Sequence, residues 1–431
     1  MNTKNVISPF VAAIDIGTTK IVALLGEKKE NGKIIIRGMS TTPSRGVRRG
    51  EVKNIEEAVY SIQTAVEALQ LKTGVALSDV FVGIAGETIR GVRNNTHINR
   101  DYPEKLITTD EVNRLVNEMY KMNVETGEEI LHVLPQTFIV DNEFGIRKPA
   151  GMIGRRLEGN FHVVVGEVAS ARIIERCVNS VGLRVNSLVL EPLASARAVL
   201  TDEEKEIGVA LVDIGGGTTD IAVYHDNVIQ HTAVCPFGGF VISEDIRKFL
   251  NILPQQAEEL KIRYGSAFGD TAPLDNVPVP ALSGREPKYV TRKQLAHVIQ
   301  ARVSEIFDAV IFELENSNYY DKLGAGIVLT GGGAMLKDLP QLVNFKTGLD
   351  VKIGFPGESL AAEMDNNINH PMYSTAVGLI IEGYHMNNTM RQRQADEGKE
   401  RTVRGGFFDM IRNQVSKTTS KLFEENDAEM K

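Results

Sequence analysis

Cysteine is scarce in this chain of 431 residues, which contains only Cys177 and Cys235. The two lie far apart in the sequence, and neither belongs to a CxxC pair or neighbours a histidine cluster. This argues against a disulfide framework and against a structural zinc site. Such cysteine usage is typical of a protein in a reducing cytosol.

The sequence also lacks long apolar runs and an excess of basic residues. No stretch reaches the roughly 18 consecutive apolar residues that a membrane span requires, and the N-terminus has no apolar core of signal-peptide form, so we expect neither. The formal net charge of −8 argues against a general nucleic-acid binder, which needs a concentrated basic face. With 42% hydrophobic and 24% charged residues, most of the chain is expected to fold, in roughly two to four domains.

One short phrase, by contrast, occurs twice: residues 13–20 read AIDIGTTK and residues 211–220 read LVDIGGGTTD. Each copy predicts a β-hairpin with a glycine turn. Glycine lets the backbone approach a ligand closely, while amide hydrogens and threonine hydroxyls converge as donors for phosphate oxygens. The candidate phosphate-binding residues are Gly17, Thr18, Thr19 and Lys20 in the first copy and Gly215, Gly216, Gly217, Thr218 and Thr219 in the second.

The duplication changes what a single copy would mean. One DIGTT alone fits a plain hairpin equally well, whereas two copies predict two similar α/β halves that grip nucleotide phosphates between them. Asp15 and Asp213 end the first strand of each hairpin, where a carboxylate is suited to hold a hydrated Mg²⁺ ion. The copies differ in charge at Lys20 and Asp220, so one loop favours an anion and the other a cation.

A third glycine turn follows the apolar residues 327–330. It consists of Gly331, Gly332 and Gly333, and we expect it to lead into a helix. A turn without side chains offers a flat surface on which a purine ring can lie.

Three acidic or basic residues have two interpretations each. Glu258 and Lys261, three residues apart on one helix face, form either a surface ion pair worth about 0.5 kcal/mol or less, or contacts to ribose and adenine. Glu191, just before Pro192 at a strand-to-helix junction, is either an acidic residue favoured at a helix start or a carboxylate that orders water against a terminal phosphate.

These segments, in this order, resemble the phosphate-1, connect-1, phosphate-2, adenosine and connect-2 motifs of the superfamily of actin, DnaK-type chaperones and sugar kinases. The connect-2 motif corresponds to residues 372–380, MYSTAVGLI. Within that superfamily the sequence is most similar to the FtsA family of bacterial cell-division proteins. The resemblance implies an α/β, actin-like duplicated fold of two facing lobes, with a small α/β insertion in the first lobe, and ATP with Mg²⁺ as ligands.

The same resemblance assigns expected roles. Thr18, Thr19 and Lys20 would contact the β and γ phosphates, and Asp15 and Asp213 would hold Mg²⁺ through water. Glu191 would face the attacking water, with Asp213 as the second catalytic candidate, in a family whose hydrolysis is at most weak. The adenosine contacts would come from Glu258, Lys261, Gly331, Gly332 and Gly333.

The resemblance also divides the chain. We expect the first lobe at 1–85, the insertion at 86–165, the rest of the first lobe and the start of the second at 166–240, the outer part of the second lobe at 241–320, the third turn and a closing helix at 321–385, a flexible linker at 386–403 and an amphipathic helix at 404–424. Within the insertion, strands are predicted at 88–98, 130–140 and 161–168 and a helix at 109–122. In the family this insertion contributes to head-to-tail contacts.

The outer part of the second lobe is expected to hold a long loop, residues 265–287, before a helix that begins near Thr291. In the FtsA family this subdomain receives the C-terminal peptide of the tubulin-like protein FtsZ. Arg292 and Arg302 would meet acidic groups of that peptide, or else lie on a solvated helix face.

The tail carries a further signal. Residues 386–403 are polar, mixed in charge and without periodicity, which predicts a linker. Beyond it, five apolar residues fall within an arc of about 100° on a helix, flanked by lysines: Phe407, Phe408, Ile411, Val415 and Leu422, with Lys417 and Lys421. Such a helix either docks on the protein or lies on a membrane surface, and the linker and the lysines favour the membrane.

The function hypothesis is therefore a membrane-attached, actin-like ATP-binding protein that polymerises and tethers FtsZ filaments at the division site, on the cytoplasmic face of the membrane. Its expected partners are the FtsZ peptide, further copies of itself, anionic lipids and other division proteins, and not nucleic acid. The alternatives are a binding module similar to the pilus-assembly protein PilM and a small-molecule kinase of the same superfamily.

Overall fold

The computed structural model describes residues 9–29, 32–279, 288–357, 360 and 367–396, with side chains up to residue 388. The first lobe opens with two apolar strands that are buried on both faces, followed by an edge strand, a small hairpin, a helix and another buried strand. The helix is capped at its start by the Asn54 side chain and ends at Gly74 in the left-handed conformation that glycine favours. These elements are β1 (Phe10–Ile16), β2 (Lys20–Lys28), β3 (Ile34–Pro43), β4 (Val47–Arg48), β5 (Glu51–Val52), α1 (Ile55–Thr73) and β6 (Asp79–Ile84).

An antiparallel sheet with one helix interrupts the first lobe after β6. Its elements are β7 (Arg90–Asn99), α2 (Thr109–Met119), β8 (Glu128–Val140), β9 (Glu143–Ile146) and β10 (Arg156–Glu167), in the sheet order β7-β10-β8-β9. Leu115 of α2 packs with Phe161 and Val163 of β10 in a separate apolar core. The insertion therefore has the α/β composition that the sequence predicts.

The chain then completes the first lobe and builds the second. The remaining elements are α3 (Val168–Ser180), β11 (Arg184–Leu190), α4 (Glu191–Val199), α5 (Asp202–Ile207), β12 (Val209–Ile214), β13 (Thr219–His225), β14 (Val228–Cys235), α6 (Gly239–Leu250), α7 (Pro254–Tyr264), β15 (Asn276–Val279), β16 (Lys288–Thr291), α8 (Arg292–Asn316), β17 (Ile327–Thr330), α9 (Leu339–Thr347), β18 (Val351–Ile353) and α10 (Ser374–Asp396). Cys177 and Cys235 are both buried free thiols.

The two lobes repeat one topology. The first sheet has the order β11-β6-β1-β2-β3 and the second the order β14-β13-β12-β17-β18. In each, an antiparallel meander of three strands is extended by two parallel strands. Thus β1 corresponds to β12, β6 to β17 and β11 to β18, and the helices that follow the last strands, α4 and α10, are also equivalent.

Those two helices pack against each other where the lobes meet. The small residues Ala194 and Gly378 allow the approach, since a Cβ atom added to Gly378 would collide with the Ala194 carbonyl oxygen. Arg197 and Glu382 form an ion pair across the crossing, at 3.1 Å. Apolar residues of both helices belong to one shared core around the crossing. The resemblance of residues 372–380 to the connect-2 motif implies a small-residue helix packed between the halves. This is confirmed from Ser374 onward, whereas residues 371–373 form a 3-10 turn.

Several local predictions were wrong. The third glycine turn does not lead directly into an α-helix but into a 3-10 turn over residues 332–335, and α9 begins only at Leu339. The predicted long loop 265–287 contains β15, which pairs with β16. The insertion has the unpredicted short strand β9, and β10 starts at Arg156 rather than at 161. In each case cross-strand pairing or a tight turn decides the structure of residues that have little hydrophobic pattern of their own.

The predicted linker is also partly helical. Helix α10 continues to Asp396, through the first eleven residues of the stretch 386–403. That stretch has no glycine or proline before Gly398 and is rich in good helix formers, so the helix extends beyond its buried part. Residues 397–403 and the predicted helix 404–424 lie outside the described residues.

The helix crossing gives a stability test. We expect Gly378→Ala to lower the free energy of unfolding by about 2 kcal/mol through overpacking, although alanine is the better helix former by about 1 kcal/mol. Gly332→Ala is the control, because a methyl group there meets only Met372, at 3.8 Å. Urea unfolding measures both. Equal stability of the two variants would contradict close packing at the crossing.

Candidate functional site

The two repeated phrases form equivalent hairpins whose turns face each other. The first turn, residues 17–19, joins β1 and β2, and the second, residues 215–218, joins β12 and β13. We call these the first loop and the second loop. A Cβ atom on Gly216 would collide with Thr19, and one on Gly217 would collide with the Thr18 hydroxyl. The loops thus touch, and glycine is required on the second loop for this approach.

Four carboxylates converge beneath the loops. Asp15, Glu191, Asp213 and Asp220 all line the cleft between the lobes, together with Lys20. Burial raises the pKa of Asp15 to about 6, with Lys20 opposing that rise and Asp213 adding to it. The pKa values of Glu191 and Asp220 are raised well above their usual ranges, first by burial and then by the neighbouring carboxylates. The cleft therefore concentrates carboxyl groups that resist ionisation together, and a bound cation would favour their charged forms.

Asp213 is held by both equivalent helices. The Ser195 hydroxyl of α4 donates to Asp213 Oδ2 at 2.6 Å, and the Thr375 hydroxyl of α10 donates to the same oxygen at 3.2 Å. The two hydroxyls are themselves 3.0 Å apart. Burial raises the pKa of Asp213, while these hydrogen bonds oppose the rise. The carboxylate is thereby fixed at the point where the lobes join.

The third turn closes one side of the cleft. Gly331 has a positive φ of 82°, and a Cβ atom there would collide with Asp213 Oδ1. Gly331 and Gly332 line the cleft with Pro371 and Met372. Gly333 lies behind them against Ile214, where a Cβ atom would also collide.

Glu258 and Lys261 lie behind the second loop rather than in the cleft lining. They form the ion pair that their spacing predicts, at 2.8 Å. Lys261 Nζ also donates to the Gly239 carbonyl oxygen at 2.9 Å, and the Gly239 amide donates to the Gly215 carbonyl oxygen at 2.9 Å. The pair therefore buttresses the second loop, and its contacts to adenosine stay a prediction.

The residues present fit a phosphate chain with a hydrated cation. The loops bring glycine backbone and threonine hydroxyls to one place, and Asp220 Oδ1 is buried without a hydrogen-bond partner among the described residues. No three His, Cys, Asp or Glu side chains in that part of the chain come close enough to enclose a bare metal ion. Binding of Mg²⁺ by Asp15 and Asp213 through water stays a prediction.

Sequence reasoning did not assign several residues of the cleft. Gly50, Ser195, Asp220 and Thr375 all contribute to it. Of these only Asp220 gives a local signal, because it is the acidic counterpart of Lys20 in the repeated phrase. Ser195 follows Glu191 in the connect-1 segment and Thr375 lies in the connect-2 motif, but neither was singled out, and Gly50 belongs to no motif.

The two arginines predicted for the FtsZ peptide both have acidic neighbours within the chain. Arg292 pairs with Asp275 at 3.1 Å, and Arg302 pairs with Asp245 and Glu305. Both side chains remain about one-third exposed. The predicted membrane residues, from Phe407 to Leu422, lie outside the described residues. None of the helices in the described ranges is both long and apolar enough to cross a bilayer.

Comparison with known proteins shows which family this chain belongs to. The family described as cell division protein FtsA matches residues 210–378, and the SHS2 domain inserted in FtsA matches residues 86–165. The chain is 39% identical to the cell division protein FtsA of Pseudomonas aeruginosa, over 92% of this chain and 93% of that protein. This chain belongs to the FtsA family. The Escherichia coli K12 member is 35% identical to it, over 86% of this chain and 90% of that protein.

Solved structures with the same fold are more distant. A chain of the PilM–PilN type IV pilus biogenesis complex has a TM-score of 0.61 at 15% identity, over 86% of this chain and 98% of that one. MreB5 of Spiroplasma citri bound to AMPPNP has a TM-score of 0.55 at 14% identity, over 89% and 99%. The predicted actin-like fold with its insertion is confirmed. The PilM-like alternative is supported at the level of fold alone, while membership of the FtsA family rests on identity over most of the chain.

The buried carboxylates predict a pH dependence of stability. Because the pKa of Asp15 rises from 3.8 to about 6 on folding, the folded chain binds more protons than the unfolded chain between these values. The contribution of Asp15 to stability therefore falls as pH rises through this window. Without nucleotide or divalent cation, Asp15→Asn should stabilise the fold at pH 7 by about 2 kcal/mol and flatten that fall.

Urea unfolding between pH 4 and 7 measures the effect. Asp101→Asn, at an exposed turn, is the control and should change neither the stability nor its slope with pH. If Asp15→Asn were no more stable than the parent at pH 7, the carboxylate would not be destabilised by burial as described.

Proposed function

We propose that this chain binds ATP with Mg²⁺ between its two lobes, assembles head to tail, and tethers FtsZ filaments to the cytoplasmic face of the cell membrane at the division site. Membership of a cell-division family supports the setting. The contact between two equivalent glycine-threonine loops above a carboxylate cluster is the observation that carries the proposal. A single ligand with several phosphates is what such a pair of loops suits best.

In this proposal different residues bind the phosphates and the cation. Thr18, Thr19 and Lys20 bind the β and γ phosphates, and the glycine amides of the second loop bind from the opposite side. Asp15 and Asp213 hold the Mg²⁺ ion through its water ligands, which Mg²⁺ retains readily. The bound ion would offset the repulsion between the buried carboxylates.

Glu191 is the proposed residue that faces the attacking water. It begins α4, directly after β11, and lies among Asp15, Asp213 and Asp220. Glu191 can accept a proton only in its ionised form, which a bound cation would favour by offsetting the charge of the neighbouring carboxylates. Hydrolysis is nevertheless expected to be slow, and the nucleotide would act chiefly as a structural ligand that joins the lobes.

The related fold offers a precedent for the nucleotide. MreB5 of Spiroplasma citri has been crystallised with ADP and with AMPPNP. In the present chain the cleft encloses only about 50 Å³, so the loops would have to separate to admit a triphosphate. The crossing of α4 and α10 is the natural pivot, because these helices join the lobes and both contact Asp213.

Tethering requires a membrane contact and a filament contact. Burial of up to five large apolar side chains of the tail helix, each worth about 1.5–3 kcal/mol when complete, must offset about 1 kcal/mol or more per residue for ordering it. One helix would therefore bind weakly, and assembly of many chains would strengthen the attachment. Arg292 and Arg302 are proposed to exchange their exposed partners, Asp275 and Glu305, for carboxylates of the FtsZ peptide, since exposed ion pairs are weak.

The nucleotide site is tested by Lys20→Ala. We expect the affinity for Mg-ATP to fall about tenfold or more, because a lysine charge next to the phosphates is lost. Lys28→Ala, at the far end of the same strand, is the matched control and should bind like the parent. Isothermal titration calorimetry measures both. Equal affinities of the two variants would contradict phosphate binding at the first loop.

The membrane contact is tested by changing Phe407 and Phe408 together to glutamate. This double variant should no longer sediment with vesicles that contain anionic lipid, because the apolar face would carry two charges. Changing Ser416 and Ser420 to glutamate adds the same charge on the opposite helix face and should weaken sedimentation much less. Equal sedimentation of both double variants would rule out the proposed orientation.

A further inference from the structure

The small hairpin of β4 and β5 packs against both loops. Its strands pair Val47 with Val52 and Arg48 with Glu51, so Arg49 and Gly50 form a two-residue turn. Both turn residues have positive φ, 50° at Arg49 and 76° at Gly50, which is the pattern of a type I′ turn. Of the hairpin, the tip residue Gly50 lines the cleft.

That tip contacts both loops through its backbone. The Gly50 amide donates to the Thr18 hydroxyl of the first loop at 3.0 Å. A Cβ atom on Gly217 of the second loop would lie 2.9 Å from Arg49 Cα and 3.0 Å from Arg49 N. The tip is thus a third wall of the proposed phosphate site through Gly50, which lines the cleft, while Arg49 touches the second loop with its backbone and extends its side chain toward Glu87.

An arginine is an unexpected residue at this position. Asparagine or glycine adopts positive φ with little strain, whereas a side chain with a long aliphatic stem does so at a cost. Strained residues of this kind persist where the surrounding structure holds them, and they concentrate at functional sites. The strain thus calls for a role for the guanidinium that glycine could not fill.

The present partner of the guanidinium is easily replaced. Arg49 Nη1 lies 3.6 Å from Glu87 Oε2, and the two side chains are 53% and 43% exposed. A long ion pair between exposed side chains contributes little to stability. Phosphate offers arginine shorter, charge-assisted and often bidentate hydrogen bonds.

The excess of acidic over basic side chains in the cleft is the reason to expect a second basic side chain there. Its lining holds four carboxylates, Asp15, Glu191, Asp213 and Asp220, and Lys20 is the basic residue among the described residues that form it. The terminal phosphate of ATP adds further negative charge that ADP lacks. A guanidinium at the meeting point of the loops would offset that additional charge.

We propose that Arg49 is a sensor of the terminal phosphate, whose guanidinium exchanges Glu87 for the γ phosphate of bound ATP. This rests on the proposed nucleotide site and adds selectivity for ATP over ADP to it. Glu87 stands at the start of the segment that matches the inserted domain, residues 86–165. Release of Glu87 would therefore transmit the state of the nucleotide to the insertion.

The test compares the affinities of the full chain for Mg-AMPPNP and Mg-ADP by isothermal titration calorimetry. Arg49→Ala should weaken AMPPNP binding about tenfold or more and leave ADP binding within about twofold. Arg48→Ala, which removes the same charge from the adjacent exposed position, should change neither affinity. Glu87→Ala should tighten AMPPNP binding, because it removes the competing carboxylate.

A second variant separates sensing from folding. Arg49→Gly relieves the positive φ, so its melting temperature should be no lower than that of the parent while its preference for AMPPNP is lost. The sensor role would be overturned if Arg49→Ala weakened the binding of AMPPNP and ADP equally, or weakened neither. A lower melting temperature of Arg49→Gly than of the parent would also overturn it. Failure of the parent to bind either nucleotide would instead refute the nucleotide site itself, and the sensor with it.

Discussion

The contacts of one buried carboxylate, that of Asp213, connect the two equivalent helices and the third turn. The Ser195 and Thr375 hydroxyls donate to it from α4 and α10, and Gly331 lies against its other oxygen. Asp213 lies near the end of the central strand of the second sheet, so this strand, both connecting helices and the third turn meet at this group. A change in its surroundings must therefore be felt by both lobes, which is the arrangement that a ligand-dependent joint between domains requires.

The duplicated hairpins make the two sides of the site similar. The different residues at one equivalent position, Lys20 and Asp220, make the two sides differ in charge. The two hairpins provide matched loops, yet Lys20 on one side faces the acidic Asp220 on the other. The first loop is suited to anionic oxygen and the second to a cation, so the pair fits a phosphate chain together with a metal ion better than either ligand alone. The hairpin tip brings a second basic residue, Arg49, next to the loops, and its guanidinium lies 3.6 Å from Glu87.

The sequence was most informative where a local pattern has a local cause. Glycines and threonines at strand ends predicted both loops, because a turn and a near contact dictate those residues, whereas the helix at residues 372–380 was implied by the family resemblance. Ser195, Thr375 and Gly50 gave no such signal, since a hydroxyl or glycine acquires meaning only when distant segments meet. The extension of α10 was missed for the opposite reason: polar residues without periodicity predict a linker, but their helix propensity allows a buried helix to continue beyond its core.

A crystal structure of the full chain with Mg-AMPPNP will show whether both loops bind one triphosphate. We expect phosphate oxygens in contact with Thr18 and Thr19 on one side and with the amides of residues 215–217 on the other, and the waters of the cation on Asp15 and Asp213. A ligand bound to a single lobe, or outside the cleft, would contradict this expectation.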